Sequence, residues 1–517
     1  MPVIPANPNI TPKRYSRFWF RFFELLPGLV VWICLIAPFI LSIYYPLSVT
    51  IFIVFFDVYW LIRSLSYGFI LFRGYKRFQK TINTNWMDQL HTLESLTPTE
   101  EKKFDLFPWR DIYHAVIITI YQEEASIVVG GLQSMVDADY PKDRLIVILA
   151  TEERAGAPAA AVAQELKEKF ADKFKYFLVT VHPDNIAGEV KAKGANASWA
   201  ARQLTLFLEK KNIPRDHVMV STADADSRFH EQFFSCLSYM YLTTPERTQA
   251  SYQPVAVYFN NIWEAGMLSR VMAFSTTFWQ LIESVRDYRL ITFATHATSL
   301  QTLYETDYWC TSIVNEDSRQ FFRGYFHFKG RFRAIPIFLP IYMDAVMVRS
   351  KYGTLKNLYL QQQRWAYGAE HFPYIVMECF RQKEIPLGSR ALIIFRAFSG
   401  AYSWATSAFF ITVVGWLPLW LNPTFQHDVA ASSFPFVTKT LLSLTWVGLL
   451  ISGFITWRLL NTVVHGKKPI AFTTMFLQWL LVPIATLVFG ALPGIDAQTR
   501  LMLGKYIGFR VTEKTSV

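Results

Sequence analysis

The sequence is short of the features that announce several common protein classes. Only four cysteines occur in 517 residues (Cys34, Cys236, Cys310, Cys379), and no two form a CxxC pair. Neither a disulfide framework nor a structural zinc site therefore organises the fold, and the chain suits a reducing compartment. Glycine-rich phosphate loops are missing too. With no GxGxxG and no GxxxxGK[ST], neither a dinucleotide fingerprint nor a P-loop is supported. Charged residues make up only 18% of the chain, against 52% hydrophobic and 16% aromatic, a balance too apolar for an ordinary soluble enzyme. The formal net charge of +11 comes without zinc spacing, a basic helix or an aromatic RNA motif, so no nucleic-acid partner is expected.

What is present is apolar sequence in long blocks. Leu25 to Tyr45, Leu47 to Phe72, Ala391 to Leu421, Thr440 to Trp457 and Ile470 to Leu492 are each long enough, at about 1.5 Å rise per residue, to cross or nearly cross a hydrocarbon core. Between them the chain carries normal charge. The expected organisation is an N-terminal transmembrane hairpin over 1–72, a globular domain over 73–354, interfacial helices over 355–389, C-terminal transmembrane helices over 390–493 and an interfacial tail over 494–517. The basic stretch Lys13, Arg14, Arg17, Arg21 before the first apolar block could open a signal peptide, but no small-residue cleavage site follows, and a retained hairpin is expected. Basic residues there and at Arg73, Lys76, Arg77 and Lys80 place the N-terminus and globular domain in the cytoplasm, against anionic lipid. Towards the other end the count conflicts: the alternation carries the tail outside, whereas Arg500, Lys505, Arg510 and Lys514 prefer the inside. Either Pro483 breaks the last segment, or the Ala391 to Leu421 stretch, with Arg396 in it, contains an extra element. Asp57 inside the second block is a functional candidate as an intramembrane carboxylate, and Arg63 does not share its helix face.

In the globular part, the runs His114 to Ile120, Leu145 to Leu149, Phe177 to Val181 and Val218 to Ser221 read as short buried strands, with helical patterns at Glu124 to Met135 and Pro158 to Phe170. Strands alternating with helices predict a largely parallel, doubly wound sheet that binds ligands at the carboxyl ends of its strands. Tyr121, Glu123, Glu152 and Asp224 all fall there. Without a glycine nest, a bound diphosphate needs a divalent cation and basic side chains.

Asp224-Ala-Asp226 supplies two hard oxygen ligands for Mg²⁺ or Mn²⁺ at the end of a buried strand. The same triplet at Asp137-Ala-Asp139 sits before a Tyr-Pro turn, where solvated acids are expected. Glu316-Asp317 looks by itself like any surface acid pair. In a helix, Gln361, Arg364 and Trp365 share one face, so an amide, a guanidinium and an indole converge; an interfacial helix anchored by Arg and Trp shows the same pattern.

In this order, between apolar segments, Tyr121-Gln-Glu123, Asp224-Ala-Asp226, Glu316-Asp317 and Gln361-Gln-Gln-Arg364-Trp365 resemble the membrane-integrated family 2 glycosyltransferases, the superfamily of cellulose, chitin and hyaluronan synthases. The resemblance implies an α/β, GT-A-like (Rossmann-like) cytoplasmic domain flanked by transmembrane helices, and a metal-dependent, inverting transfer from a nucleotide sugar, most often a UDP-sugar, to a polysaccharide or lipid-linked acceptor. It makes Asp317 the base beside Glu316, although Asn315 stands where the family has threonine, and Asp224 and Asp226 the metal ligands. Gln361 and Arg364 would lie near the diphosphate, with Trp365 as the acceptor platform; Trp309 resembles a further aromatic at the acceptor, a core position being the alternative. Tyr121 and Glu123 would contact the nucleotide base and Glu152 the donor. Lys191 or Lys193, in Lys191-Ala-Lys-Gly-Ala-Asn196, would serve the donor loop, the choice between them being open. Phe509-Arg-Val511-Thr512-Glu-Lys514 resembles the gating loop of cellulose synthases. The preferred product is a β-linked polysaccharide; the rival is one sugar added to a lipid or glycolipid.

Overall fold

The computed structural model describes residues 16–95, 107–463 and 472–508. Its centre is an eight-stranded mixed sheet in the order β3-β2-β1-β4-β7-β6-β8-β5. β1 (Tyr113–Thr119), β2 (Leu145–Glu152), β3 (Tyr176–His182) and β4 (Val218–Ala223) are the strands expected from the sequence. They pair in parallel, with Ile118 opposite both Leu149 and Ala223. That register brings Tyr121, Glu152 and Asp224 to one edge. Unbroken burial along β2 and β4 matches strands covered on both faces. The helices Ala125–Val136, Gly156–Phe170 and Phe233–Thr243 cover one side, and Lys193–Glu209 with Leu300–Glu305 cover the other.

The other half departs from the parallel expectation. β7 (His296–Ser299) runs antiparallel to β4 and to β6 (Ala250–Val257), β6 pairs in parallel with β8 (Arg333–Tyr342), and the two-residue β5 (Arg228–Phe229) runs antiparallel to β8. Antiparallel pairing lets the chain fold back beyond β4 and lay β8 beside the turn that carries Asp224 and Asp226.

Among the described residues three helices are long and apolar enough to cross a membrane, Arg17–Tyr44, Pro46–Ile82 and Val429–Leu459; a fourth is counted if Leu387–Thr412 and Val414–Leu421, bent by 41°, form one span. The second helix runs ten residues past the boundary expected at residue 72, and its Leu71 and Phe78 join the core beneath the sheet. A Cβ on Gly74 would lie 2.9 Å from Leu281, so this helix and Met267–Val285 touch closely. Both topological alternatives left open by the charge count have a counterpart. The 391–421 stretch bends, and the last apolar run is broken into Phe472–Trp479, Val482–Thr486, a π turn at Leu487–Ala491 and Leu492–Met502. Pro483 sits in the first turn of the second piece, where a missing N–H is tolerated. Asp57 is buried, with Thr438 of the helix Val429–Val463 beside it, whereas Arg63 donates to Tyr59 and Tyr67.

Candidate active site

The strand ends, two helix starts and one helix end deliver acids and bases to one place. Asp224 follows β4 and its Oδ1 lies 2.5 Å from Lys193 Nζ. Lys193 opens the helix Lys193–Glu209, while Lys191 pairs with Asp184 at 2.8 Å, so Lys193 is the lysine that faces the acids. Burial disfavours its ammonium, but Asp224, then Glu316 and Asp317 outweigh this and raise its pKa. Asn196 Nδ2 donates to the Ala150 carbonyl at 2.7 Å, fixing the helix to β2. At Gly194 a Cβ would lie 2.6 Å from Glu316 Cβ and 2.8 Å from the Cys310 carbonyl oxygen. The glycine is what allows the helix start to touch the acid pair.

Glu316 and Asp317 open the helix Glu316–His327. Glu316 is 6% exposed. Burial, reinforced by Asp317 and opposed by Lys193 and Arg364, pushes its pKa up to about 8. Asp317 is held by the backbone: Ala294 N–H donates to Oδ2 at 2.7 Å and Ser318 N–H to Oδ1 at 2.7 Å. Ala294 adopts φ +35°, a sparsely populated value for a residue with a Cβ, in the turn that aims its N–H at Asp317.

The protonation of Glu316 has a stability consequence. Between its ordinary value of 4.5 and about 8, the folded chain holds a proton that the unfolded chain has lost, so stability falls as pH rises through that window. Glu316→Gln removes this term, and its Tm is expected to fall less than that of the wild type between about pH 5 and 8. Parallel Tm profiles would show that Glu316 is ionised throughout.

Asp226 is 3% exposed, and its Oδ2 accepts from Asp344 N–H at 2.8 Å. Asn260 Nδ2 donates to the Asp226 carbonyl at 3.1 Å and to Asp344 Oδ1 at 3.0 Å. Asp344 and Asn260, which follow β8 and β6, were not singled out from the sequence; an acid just past a buried strand was the available signal. Tyr258, also unforeseen, stands among the charged groups. Burial raises its pKa, and Asp224, Asp226 and Asp317 add to the effect against Arg364, so the phenol stays protonated. Its ring lies 6.2 Å from that of Trp365, and the two line a narrow cleft with Gln361, Ser269 and Thr276. Gln361, Arg364 and Trp365 lie near the end of the helix Lys351–Ala366, with Arg364 within electrostatic reach of Glu316.

At the carboxyl end of β2, Glu152 Oε2 pairs with Arg154 Nε at 2.5 Å, and Arg154 lies over the Tyr121 ring at 4.5 Å. Glu152 and Arg154 line a cavity of about 250 Å³ together with His182, Asp184, Glu189 and Lys191. Glu123 Oε2 accepts the N–H groups of Tyr121 and Gln122 at 2.7 and 3.1 Å, so this carboxylate closes its own loop. Arg154 is a further residue that the sequence reading missed.

Trp309 is not at the site. It is 1% exposed, packed among Ala197, Ala200, Leu204 and Leu300, and its indole N–H donates to His296 Nε2 at 3.3 Å; its ring faces are covered by the core. Phe509, Val511, Thr512 and Lys514 lie outside the described residues.

Among the described residues no group of three or more His, Cys, Asp or Glu gathers as an all-protein metal cage. Asp224 and Asp226 nonetheless place two hard-oxygen carboxylates on one turn, a donor set that fits Mg²⁺ or Mn²⁺ shared with substrate phosphates.

No protein-family model matches the chain and no curated protein matches it. Among solved structures it is similar to the mannosyltransferase PcManGT from Pyrobaculum calidifontis in complex with GDP-Man and Mn²⁺, at 15% identity and TM-score 0.39, covering 83% of this chain and 97% of that one. It is also similar to residues 1–349 of S. aureus TarS, at 10% identity and TM-score 0.34, covering 77% and 94% respectively. The same TarS segment in complex with UDP-GlcNAc matches at 11% identity and TM-score 0.34, covering 66% and 90%.

Proposed function

We propose that the chain is a membrane-integrated family 2 glycosyltransferase with a GT-A-like domain facing the cytoplasm. It would transfer a sugar with inversion from a nucleotide diphosphate donor, a UDP-sugar first among candidates, to a growing β-linked polysaccharide. The observation that carries this reading is the meeting of Asp224, Asp226, Glu316 and Asp317 with Lys193, Arg364 and Tyr258, next to helices able to cross a membrane.

Inversion requires one displacement at the anomeric carbon. Asp317, oriented by two backbone N–H groups, takes the proton of the acceptor hydroxyl as that oxygen attacks C1. The C1–O bond to the diphosphate breaks, and its electron pair leaves on the diphosphate oxygen. Lys193 and Arg364 face that developing charge. Asp224 and Asp226 would hold the divalent ion, which when bound neutralises the leaving diphosphate. A protonated Glu316 adds no negative charge beside it. Trp365, only partly buried, offers aromatic surface to the acceptor sugar with the buried Tyr258 ring behind it, and Glu152 and Arg154 line the cavity suited to the donor, with Tyr121 against Arg154.

The test is nucleotide diphosphate release by the detergent-solubilised chain across UDP- and GDP-sugars with Mg²⁺ or Mn²⁺, with products sized in the same samples. Metal-dependent release with a long polymer is expected. A single-sugar product would replace the polysaccharide by a lipid or glycolipid acceptor. Silence across the panel, with membrane lipids and oligosaccharides supplied as acceptors, would remove the reading.

A further inference from the structure

The turn that carries Asp317 is gripped from behind by residues the reaction does not touch. The helix ending in Arg364 and Trp365 passes through a 3₁₀ turn, Tyr367–Glu370, into the helix His371–Arg381. Glu370 Oε1 accepts from Asn315 N–H at 3.2 Å and from Asn315 Nδ2 at 3.3 Å, while Nδ2 also donates to the Arg364 carbonyl at 3.2 Å. Asparagine carries two side-chain protons and can serve both acceptors; a threonine hydroxyl has one. Asn315 thus ties the start of the acid-bearing helix to the helix of Gln361, Arg364 and Trp365.

His371 makes the second tie. It is 5% exposed, and burial, with Arg319 beside it, pushes its pKa well below the usual histidine value. Arg319 Nε donates to His371 Nδ1 at 3.1 Å. A guanidinium only donates, so Nδ1 carries the lone pair and the single imidazole proton sits on Nε2. Nε2–H then donates to Ser318 Oγ at 2.7 Å. The Ser318 hydroxyl is thereby turned towards the Asn315 carbonyl at 3.4 Å and Asp317 Oδ1 at 3.5 Å, and the Ser318 N–H holds that same Oδ1 at 2.7 Å.

We infer that Glu370 and His371 are positioning residues: through Asn315 and Ser318 they fix the first turn of the helix Glu316–His327 so that the Asp317 carboxylate and Trp365 keep one relative geometry. The inference rests on the reading of Asp317 as the base. A fixed neutral tautomer is what such a latch requires, because a second proton on His371 would face the Arg319 guanidinium. A base misplaced by about 1 Å loses on the order of 10²-fold in rate, so the His371–Ser318 arm of the latch, which touches the Asp317 turn, acts on turnover.

The test compares Ser318→Ala, His371→Leu and His371→Gln in the full chain. Glutamine can accept from Arg319 and donate to Ser318, as the Nε2–H tautomer does. Ser318→Ala and His371→Leu are expected to lower kcat about 10- to 100-fold with donor affinity within about twofold, and His371→Gln to restore most of the loss. Unchanged kcat in Ser318→Ala, or equal losses in His371→Gln and His371→Leu, overturns the inference; so does a parallel loss of donor affinity, the mark of a merely structural role. ¹⁵N-histidine NMR supplies a readout independent of transfer: a neutral, Nε2-protonated His371 whose signal moves in Ser318→Ala is expected. A charged or Nδ1-protonated ring overturns the latch whatever the activity. Normal transfer by Asp317→Asn would sink the base and the positioning role together, with the tautomer measurement then deciding only the hydrogen-bond chain.

Discussion

Asp317→Asn should reduce sugar transfer by about 10²- to 10⁴-fold, the usual contribution of a general base, while nucleotide-sugar binding persists. In the proposed reaction this carboxylate is the base that acts on an acceptor lying along Trp365. The substitution is not isosteric in its hydrogen bonds. Asp317 offers an oxygen to each of two N–H groups, from Ala294 and Ser318, whereas an asparagine amide offers one oxygen and one NH₂. One N–H therefore loses its acceptor, at roughly 1–3 kcal/mol. Tm and donor affinity must accordingly be measured beside turnover: a large loss of kcat with donor affinity preserved identifies the base, and unchanged turnover would remove Asp317 from the mechanism.

Replacing Asp224 by Asn acts on the other substrate. Lys193 would keep its place beneath the site but lose the carboxylate 2.5 Å away, and the proposed ion-binding pair would be reduced to Asp226. Charge-assisted contacts of this kind are worth about 1.5–3 kcal/mol, so donor affinity with Mn²⁺ present should fall by roughly 10- to 100-fold. The same loss should follow from adding a chelator to the wild type, and a chelator should have little further effect on the variant. Calorimetric titration with a nucleotide diphosphate reads both. If wild-type binding ignores the chelator while Asp224→Asn is still weakened, Asp224 serves Lys193 and not a metal.

Much of this geometry was legible because it rests on local patterns. Apolar β-branched runs ending in Tyr121, Glu152 and Asp224 fixed which ends of β1, β2 and β4 meet, and a parallel register then brings them to one edge without further instruction. Other parts were not legible for reasons that lie in particular residues. Lys191 and Lys193 are equivalent on paper; a two-residue displacement at a helix start sends one to Asp184 and the other to Asp224. Trp309 and Trp365 are both tryptophans near acids, and only packing distinguishes the one sealed against Ala200 and Leu204 from the one facing Tyr258. Asp344, Asn260 and Tyr258 belong to β8, β6 and their following turns, whose antiparallel and crossed pairings bring together residues far apart in sequence.

The sequence by itself determined the long apolar blocks, the parallel half of the sheet and the four acids with Arg364 and Trp365, since hydrophobic period, strand length and residue chemistry are properties of short segments. The mixed half of the sheet, the bend and break in the C-terminal apolar stretches, the identity of the facing lysine, the raised pKa of Glu316 and the grip of Glu370 and His371 on Asn315 and Ser318 were decided only by tertiary structure. Each depends on burial and on distances of about 3 Å between residues tens of positions apart, and such distances are set by how elements pack, not by the order in which they are written.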